Sequence, residues 1–322
     1  MFVSPAVAGD LVYVGSCSGT YFALDQSTGE ARWTYDTRRD GDPAQFHGNP
    51  LVTEDLVVTG SDGQGAGYVY AFDRKTGELR WKTPVGGQDT DLVRSGGLAI
   101  GGTTPGDLVA LDLASGRVAW RFAPAERPYA RWHSRSPVLS DGRVFFAGPD
   151  GKVRALEAAS GKVLWERDLG SNVTSALLTA GTGLYAGAAD RRLYRLDLAT
   201  GAVTARIELE AAPYYSLAAA GDSILALLGE STLAAFDAEL KGMRWKRTAP
   251  VEWTTPRPLV AGDTVLVGGP GELSALRLSD GSPAWSLKVQ GSPRGLSLAG
   301  PVLYLGTVRG ALSAFETPGR LP

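Results

Sequence analysis

The sequence predicts an all-β protein folded as an eight-bladed β-propeller of four-stranded antiparallel blades. Three observations carry this prediction. A unit of about 40 residues recurs along the chain, each unit alternates short apolar runs with turns rich in Gly, Asp and Ser, and no segment shows helical periodicity. A propeller arranges such units radially and so protects the edges of their sheets. At 322 residues and 43% hydrophobic content, the chain can bury the core that this fold needs.

A turn that begins with an acidic residue marks each repeat. Stretches such as LVYVGSCSGTYFALDQSTGEARW (11–33) and VFFAGPDGKVRALEAASGKVLW (144–165) align through it. The position of Asp25 recurs at Asp73, Asp112, Glu157, Asp197, Asp237, Arg277 and Glu316. The repeat predicts a single domain over 1–322 with blades at approximately 1–39, 40–87, 88–126, 127–171, 172–211, 212–250, 251–290 and 291–322.

Each unit contains four strands, which we name A to D in chain order. Asp and Gly suit the turn between strands C and D, because Asp accepts hydrogen bonds from nearby backbone N–H groups and Gly permits positive φ. Ala205 occupies, in the fifth unit, a strand D position that is tryptophan in six others, so we expect a weaker contact there. The tryptophans that we expect to wedge against the neighbouring blade are Trp33, Trp81, Trp120, Trp165, Trp245 and Trp285.

The pattern A-[LF]-D-x-x-[ST]-G-x-x-x-W closely resembles the pyrroloquinoline-quinone-type (PQQ-like) propeller repeat with its tryptophan-docking motif. That repeat occurs in quinoprotein dehydrogenases, in the outer-membrane assembly lipoprotein of the BAM complex, and in sensor domains of some bacterial kinases. The resemblance spans nearly the whole chain and implies the fold, but it leaves the function open. It favours a bacterial protein of the periplasm or cell envelope.

The two ends of the chain bear on blade closure and on location. The last unit has strands A to C but no strand D, so we expect a three-stranded eighth blade or a further N-terminal segment that completes it. Residues 1–20 contain no signal peptide and no lipobox. The chain has no apolar run long enough to span a membrane. Its net charge of −2 gives no bulk attraction to nucleic acid or anionic lipid.

The sequence carries no convincing catalytic constellation. Quinoprotein dehydrogenases with this repeat carry a calcium site and, in many members, a vicinal cysteine pair, whereas Cys17 is the single cysteine here. The two histidines form no recognisable triad, and GSDGQGAG (60–67) lacks the following helix that a phosphate-binding loop requires. We therefore predict a protein that is not an enzyme and that requires neither a metal nor a cofactor.

The connections from strand D of one blade to strand A of the next form the candidate binding surface. Two of these D–A loops are longer than the rest and hold both histidines, and Trp132 and Trp253 are the tryptophans outside strand D. Arginine and aromatic residues are typical of interaction hot spots. The candidate partner-binding or ligand-binding residues are Arg38, Arg39, His47, Asn49, Tyr129, Arg131, Trp132, His133, Arg135, Tyr214, Tyr215, Trp253, Arg257 and Arg294.

Three functions stay open on these residues. The leading hypothesis is a non-catalytic scaffold that binds a protein or peptide through the D–A loops. The alternative is a sensor or binding module for pyrroloquinoline quinone or another small polyanion, whose carboxylates the arginines would bind. A quinoprotein dehydrogenase is the third. Nucleic acid is disfavoured as a partner, and we expect a monomer. A purely structural interpretation, in which the loops only pack, stands beside all three.

Overall fold

The computed structural model describes residues 4–40, 45–63, 67–127, 136–255, 257–308 and 310–316. Within this part, eight antiparallel sheets form, seven with four strands and the last with three. One short 3-10 helix (Thr37–Asp40) follows the first of them. The predicted all-β, eight-bladed propeller with a three-stranded last blade is thereby confirmed. The chain divides into two compact units, unit 1 (1–150 with 156–164) and unit 2 (151–155 with 165–322).

Unit 1 contains the first three blades, in which the strands pair in chain order. The first blade consists of β1 (Ala6–Ala8), β2 (Leu11–Gly15), β3 (Thr20–Asp25) and β4 (Ala31–Asp36). The second consists of β5 (Leu51–Val52), β6 (Leu56–Gly60), β7 (Tyr68–Asp73) and β8 (Leu79–Pro84). The third consists of β9 (Val93–Ser95), β10 (Leu98–Gly102), β11 (Leu108–Asp112) and β12 (Val118–Phe122).

The fourth blade supplies residues to both units. It consists of β13 (Val138–Ser140), β14 (Arg143–Ala147), β15 (Lys152–Glu157) and β16 (Val163–Asp168). Unit 2 then begins with β17 (Ser175–Ala176), which pairs in parallel with the later β22 (Tyr215–Ser216). This small ladder joins the loops that lead into the fifth and sixth blades.

Unit 2 also contains the last four blades. The fifth consists of β18 (Leu178–Ala180), β19 (Gly183–Ala188), β20 (Arg192–Asp197) and β21 (Val203–Glu208). The sixth consists of β23 (Ala218–Ala220), β24 (Ser223–Leu228), β25 (Thr232–Asp237) and β26 (Met243–Thr248). The seventh consists of β27 (Leu259–Ala261), β28 (Thr264–Gly269), β29 (Glu272–Arg277) and β30 (Pro283–Lys288), and the eighth of β31 (Pro293–Ala299), β32 (Val302–Thr307) and β33 (Leu312–Glu316).

Strands B and C form the core of each blade. In the sixth blade all six residues of β24 and five of the six in β25 are buried. Strand D faces solvent along its outer edge, and in β26 only Trp245 is buried. Both faces of strands B and C are therefore apolar, whereas strand D has one apolar anchor among polar residues. This difference explains why the tryptophan is the recurrent residue of strand D.

The acidic residue of each C–D turn organises the turn through its side chain. In the first blade, Asp25 Oδ1 accepts hydrogen bonds from the backbone N–H of Ser27 at 2.9 Å and of Thr28 at 3.0 Å, and from the Ser27 hydroxyl at 2.6 Å. Its Oδ2 receives the Arg32 guanidinium at 2.7 Å. The Ser27 hydroxyl first, and then the Arg32 guanidinium, hold the pKa of Asp25 well below its ordinary value.

The strand D indoles donate to the turn of the next blade. In five pairs, the indole Nε1–H binds the carbonyl oxygen of the residue that follows the turn's acidic position (or its replacement, Arg277), at 2.7 to 3.1 Å. The pairs are Trp33 with Arg74, Trp81 with Leu113, Trp120 with Ala158, Trp165 with Leu198, and Trp245 with Leu278. For Trp285, the corresponding turn of the eighth blade falls within 317–322, outside the described residues.

Each of these five rings also lies against the glycine of the same turn. Gly77 has φ +74°, and a methyl group built on it would lie 2.5 Å from Cδ2 of Trp33. The turn therefore needs glycine twice, once for its left-handed backbone and once for the space that the indole occupies. The same contact recurs at Gly116, Gly161, Gly201 and Gly281.

The fifth blade replaces this contact with a different one. Ala205 cannot reach the next turn, but the hydroxyl of Tyr185 on strand B donates to the Ala238 carbonyl at 2.5 Å. That carbonyl is the counterpart of the tryptophan acceptors. Leu240, in a sixth-blade turn with φ +53° at this residue, packs into the same apolar cluster as Ala205. The weaker contact that we expected at Ala205 is thus offset by a tyrosine and a leucine.

Replacing Tyr185 with Phe should test this substitute contact. The change removes the donor to Ala238 but keeps the ring, so we expect the free energy of unfolding to fall by about 1 kcal/mol. Tyr13→Phe is the matched control, because the carbonyl of Arg74 accepts from both Tyr13 and Trp33 and keeps one donor. Denaturant unfolding measures both variants. Equal losses of stability in the two variants would contradict the claim that the Tyr185 hydroxyl replaces the missing tryptophan contact.

Acid should weaken the turns in a predictable pH range. The Arg80 guanidinium, foremost, and the backbone N–H of Thr76 lower the pKa of Asp73, so the folded state holds this carboxylate ionised. A carboxylate whose pKa is lowered by folding stabilises the folded state at neutral pH. This contribution is lost as the pH falls below about 4, where aspartates of the unfolded chain take up protons.

Unfolding curves measured between neutral pH and pH about 2.5 should show this loss, with a shallower slope for Asp73→Asn than for the natural protein. Asp73→Asn should also be less stable at neutral pH, because the Arg80 ion pair is gone. Parallel slopes for the two proteins would show that Asp73 does not contribute to the acid sensitivity.

Candidate partner-binding surface

The D–A loops and the B–C turns emerge at the same end of each blade, because neighbouring strands in a blade run antiparallel. We use the name D–A face for this end and describe it separately in the two units. It contains the candidate partner-binding residues that the structure describes. Residues Tyr129, Arg131, Trp132, His133 and Arg135 belong to one of its loops but lie outside the described residues, so they stay a prediction.

In unit 1 the first D–A loop begins with two exposed arginines. Arg38 binds the carboxylate of Asp36 at 2.6 Å, and this guanidinium is the main cause of a lowered Asp36 pKa. Arg39 lies 6.0 Å from the centre of the Tyr35 ring. Phe46, further along the loop, is fully buried against Tyr21. The loop therefore has a packed base and an exposed rim, on which Arg38 is paired with Asp36.

His47 joins this loop to the B–C turn of the second blade. Its Nδ1 lies 2.9 and 3.0 Å from the two carboxylate oxygens of Asp62. Backbone hydrogen bonds between Gln45 and Asp62, at 2.7 and 2.9 Å, hold the same two segments together. Three quarters of each side chain in the His47–Asp62 pair is buried. These contacts give His47 a structural task, which is to fix the course of the loop.

Asn49 belongs to a chain of hydrogen bonds along the start of the strand A segments. Its Oδ1 accepts from the backbone N–H of Ser4 at 2.6 Å, and its own backbone N–H donates to Asp91 Oδ1 at 2.9 Å. The backbone N–H of Asp91 then donates to Ser136 Oγ at 3.0 Å. The side chains of Asn49, Asp91 and Ser136 thus link four consecutive blades, which explains why these three positions are polar.

The described end of the second long loop is also bound internally. Arg127 contacts the Asp107 carboxylate at 2.5 Å and the backbone carbonyl of Pro105. Arg121 binds the other oxygen of Asp107 at 2.8 Å. Both guanidiniums therefore share one carboxylate. In the described part of unit 1, Arg38 and Arg127 thus each bind an aspartate of this chain, which reduces the positive charge expected on this face.

In unit 2 the D–A face presents exposed aromatic surface. Tyr214 and Tyr215 are 45% and 40% exposed, although they follow the buried residues Ala212 and Pro213. Tyr215 has φ +66°, a left-handed conformation that is uncommon for a bulky residue. The backbone hydrogen bond from Tyr214 N to Leu227 O, at 3.2 Å, and the β17–β22 ladder fix this turn. The two rings are thus held outward by a rigid loop.

Two further apolar side chains lie on the same face of unit 2, and sequence reasoning missed both. Val251 in the next D–A loop is 48% exposed, and Val308 in the B–C turn of the eighth blade is 42% exposed. Their loops are tied by hydrogen bonds, since Thr254 Oγ1 donates to Pro293 O at 2.6 Å and Val308 N donates to Ser292 O at 3.1 Å. A connected set of loops therefore carries four exposed apolar residues.

Trp253 occupies a different position from the one expected of a partner-binding residue. It is 9% exposed and belongs to the apolar cluster around Trp245. Arg257 is exposed, and Arg294 is half-buried with further contacts to the protein. Of the predicted residues in unit 2, the structure thus brings the two tyrosines and Arg257 to the surface and buries the tryptophan.

Two carboxylates add negative charge beside the apolar residues. Glu230 in a B–C turn and Glu252 next to Val251 are both exposed. The carboxyl group of Glu252, through a hydrogen bond and its charge, raises the pKa of Glu230. The backbone N–H of Trp253 donates to the Glu230 carbonyl at 2.7 Å and so keeps the two segments adjacent. The surface combines aromatic rings with carboxylates, which suits an apolar segment that also carries a basic group.

Other kinds of site find little support in the described residues. No group of three or more His, Cys, Asp and Glu side chains among them could hold a metal ion. None of the described helices is long and apolar enough to cross a membrane. Pyrroloquinoline quinone would need cations for its carboxylates, but Arg38 and Arg127 already bind carboxylates of this chain.

The chain matches one family model over two overlapping segments, 2–126 and 104–316, and this model is described as outer membrane protein assembly factor BamB. Over 176 residues it is 31% identical to the outer membrane protein assembly factor BamB of Alteromonas naphthalenivorans, covering 52% of this chain and 41% of that protein. Over 91 residues it is 32% identical to a polyvinylalcohol dehydrogenase of Sphingopyxis sp. (strain 113P3), covering 26% of this chain and 14% of that protein.

The crystal structure of BamB from Moraxella catarrhalis superposes with a TM-score of 0.83 over 98% of this chain and 96% of that one. Sequence identity in this pair is 20%, so the match concerns the fold alone. The chain spans less than half the length of the curated relatives it matches. Because the family model matches nearly the whole chain, this protein belongs to the PQQ-like propeller family described as outer membrane protein assembly factor BamB.

Proposed function

We propose that this protein is a non-catalytic scaffold that binds a protein or peptide segment through its D–A face. The observation that carries the proposal is the exposed set Tyr214, Tyr215, Val251 and Val308 on connected loops of unit 2. A rigid scaffold that presents apolar side chains on loops is a common basis for protein recognition. The description of the family as an assembly factor supports a protein partner and a place in the cell envelope.

The chemistry of this face indicates the kind of segment it binds. Tyrosine offers a flat apolar ring with little conformational entropy to lose, and its hydroxyl can bind a peptide group. The carboxylates of Glu230 and Glu252 are exposed on the same face and favour a lysine or arginine on the partner. We therefore assign the face to an apolar or aromatic segment that carries at least one basic residue.

The similarity to dehydrogenases does not favour an enzyme. It covers 14% of the length of the polyvinylalcohol dehydrogenase and 8% of a second dehydrogenase. Segments of that length correspond to one or two repeats of the fold, which recur for structural reasons. The binding hypothesis needs no cofactor, whereas the sensor hypothesis needs cationic side chains, and two of those on the D–A loops, Arg38 and Arg127, already bind aspartates of this chain.

A paired substitution should test the aromatic surface. In Tyr214→Ser with Tyr215→Asn, both rings are removed, and Asn tolerates the left-handed backbone at the second position. Tagged protein would be used to capture partners from a cross-linked envelope extract of the source organism, with quantification by mass spectrometry. We expect specific partners to fall by roughly tenfold or more, since buried aromatic anchors dominate interface energies.

The matched control is Val203→Ser with Met243→Ser. These side chains are 40% and 48% exposed, close to the 45% and 40% of the tyrosines, but they lie at the start of strand D, at the opposite end of the same blades. The control should keep the partners of the natural protein. An unchanged partner set in the tyrosine variant, or an equal loss in the control, would contradict the proposal.

A further inference from the structure

The C–D turn of the first blade is more exposed than the turns on which indoles dock. Gly29 has φ +73°, close to the +74° of Gly77, and no described atom lies within 4 Å of a methyl group built on it. At Gly77 the same methyl group would lie 2.5 Å from the Trp33 ring. Gly29 is exposed, whereas the five glycines under docked indoles are buried or half-buried. The first blade therefore presents an open surface where five later blades hold an indole.

The backbone of this open turn already has the docking conformation. The backbone N–H of Gly29 donates to Asp25 O at 2.9 Å, and that of Asp25 donates to Glu30 O at 2.8 Å. In the second blade, the counterpart bond from Gly77 N–H to Asp73 O is 3.0 Å long. The carboxylate of Asp25 fixes the first-blade turn further through the hydrogen bonds described above. The turn is therefore preorganised to accept a side chain on its glycine.

The hydrogen-bond acceptor for an indole is also present. In the five docked turns, the indole Nε1–H binds the carbonyl of the residue that follows the turn's acidic position or its replacement. Gln26 holds that place in the first blade, and no described donor binds its carbonyl. Gln26 is half-buried and so keeps contact with solvent. Its carbonyl is therefore available to a donor from a ligand.

Two apolar side chains of β3 extend the open surface. Phe22 and Leu24 lie on the same face of the strand and are half-buried. Their counterparts in the second blade, Tyr70 and Phe72, are fully buried, and the centre of the Phe72 ring lies 5.7 Å from that of Trp33. An indole docked on the first-blade turn would cover Leu24 in the same way. It would thus gain apolar contact as well as a hydrogen bond.

The charge around this turn, within unit 1, is negative. Asp25 binds the Arg32 guanidinium at 2.7 Å. The carboxylate of Asp25, foremost, and the nearby carboxylates of Asp10 and Glu30 raise the pKa of Arg32. Both Asp10 and Glu30 are exposed. Three carboxylates therefore surround one guanidinium, and a basic side chain on a ligand would complement them.

The docked strands show where that basic side chain belongs. Two residues after Trp165, the Nε–H of Arg167 donates to Gly201 O at 2.9 Å, and a threonine makes the same contact between the second and third blades. The counterpart acceptor in the first blade is the carbonyl of Gly29, which Glu30 follows directly. A basic residue two positions after the tryptophan would therefore donate to this carbonyl and pair with the Glu30 carboxylate.

We propose that this turn docks an extended strand of a partner polypeptide that carries a tryptophan and, two residues later, a basic residue. The indole covers Gly29 and donates to Gln26 O. The basic side chain donates to Gly29 O beside Glu30. The five docking indoles of this chain each bind another turn, and we therefore assign the strand to a partner. The site lies at the C–D end of the first blade and goes beyond the proposed function of the D–A face.

Peptides copied from strand D of the fourth blade provide the test on the purified full chain. Acetylated KVLWERD (162–168) is the probe, KVLAERD lacks the indole, and KVLWEED reverses the charge at the basic position. The chain is labelled with ¹⁵N-glycine, and the backbone N–H resonances of Gly29 and Gly77 are assigned by their loss in Gly29→Ala and Gly77→Ala. We expect KVLWERD to shift the Gly29 resonance in a saturable way and to leave that of Gly77 unmoved, because Trp33 already covers Gly77.

Competition against fluorescein-labelled KVLWERD, followed by anisotropy, measures the affinities. Loss of the indole in KVLAERD should weaken binding roughly tenfold or more, and the charge reversal in KVLWEED roughly fivefold. Gly29→Ala, which fills the space of the ring, should weaken KVLWERD roughly tenfold. Gly96→Ala is the matched control, because Gly96 also has a positive φ and no described atom within 4 Å of an added methyl group. Glu30→Gln should reduce the advantage of KVLWERD over KVLWEED, and thermal melts check that each variant is folded.

The proposal is overturned if millimolar KVLWERD leaves the Gly29 resonance unmoved or shifts that of Gly77 equally. Equal affinity of KVLWERD with either KVLAERD or KVLWEED would overturn it too, as would unchanged binding to Gly29→Ala. Because the experiment uses no cellular partner and spares Tyr214 and Tyr215, its failure would leave the capture experiment on the D–A face as informative as before.

Discussion

The packing of a strand D indole on the turn glycine of the next blade is the constraint on which the structure depends. Trp33 covers Gly77 and donates to Arg74 O at 3.1 Å, so one residue satisfies a carbonyl and fills the space between two blades. The aspartate of the turn holds the backbone that the indole needs. Where the tryptophan is missing, at Ala205, a tyrosine hydroxyl reaches the equivalent carbonyl. Blade packing therefore requires a donor to this carbonyl and a side chain that fills the gap between the blades, and the donor need not be tryptophan.

Much of the fold could be predicted because the residues that recur in every repeat each have a role within their own turn or strand. Aspartate, glycine and tryptophan mark each C–D turn and each strand D, so their spacing predicts eight blades. The substitute contact of Tyr185 was beyond that logic, because its hydroxyl meets Ala238 through the stacking of two blades, far apart in sequence. The candidate surface was predicted less well. Composition singled out Tyr214 and Tyr215, which are exposed, but it could not show that Trp253 turns inward or that Asp107 binds Arg127.

The different constraints at the two ends of the blades suit the proposed scaffold function. The turns that dock the blades lie at the C–D end, where each residue is constrained by its neighbour. The D–A loops lie at the other end, where hydrogen bonds such as those of Asn49 and Thr254 hold the backbone and other side chains project into solvent. Tyr214 and Val251 can therefore be exposed without weakening the contacts between blades.

The most direct test of this account is a double-mutant cycle on Trp33→Ala and Gly77→Ala, with Gly29→Ala as the reference. Gly29 has φ +73°, like the +74° of Gly77, but no described atom lies within 4 Å of a methyl group added there. The account predicts that Gly77→Ala costs more than Gly29→Ala by roughly 1–3 kcal/mol, the usual range for an overpacked contact. Once Trp33 is removed, this excess should vanish. Additive losses in the double variant would contradict the claim that the indole and the turn glycine form one contact.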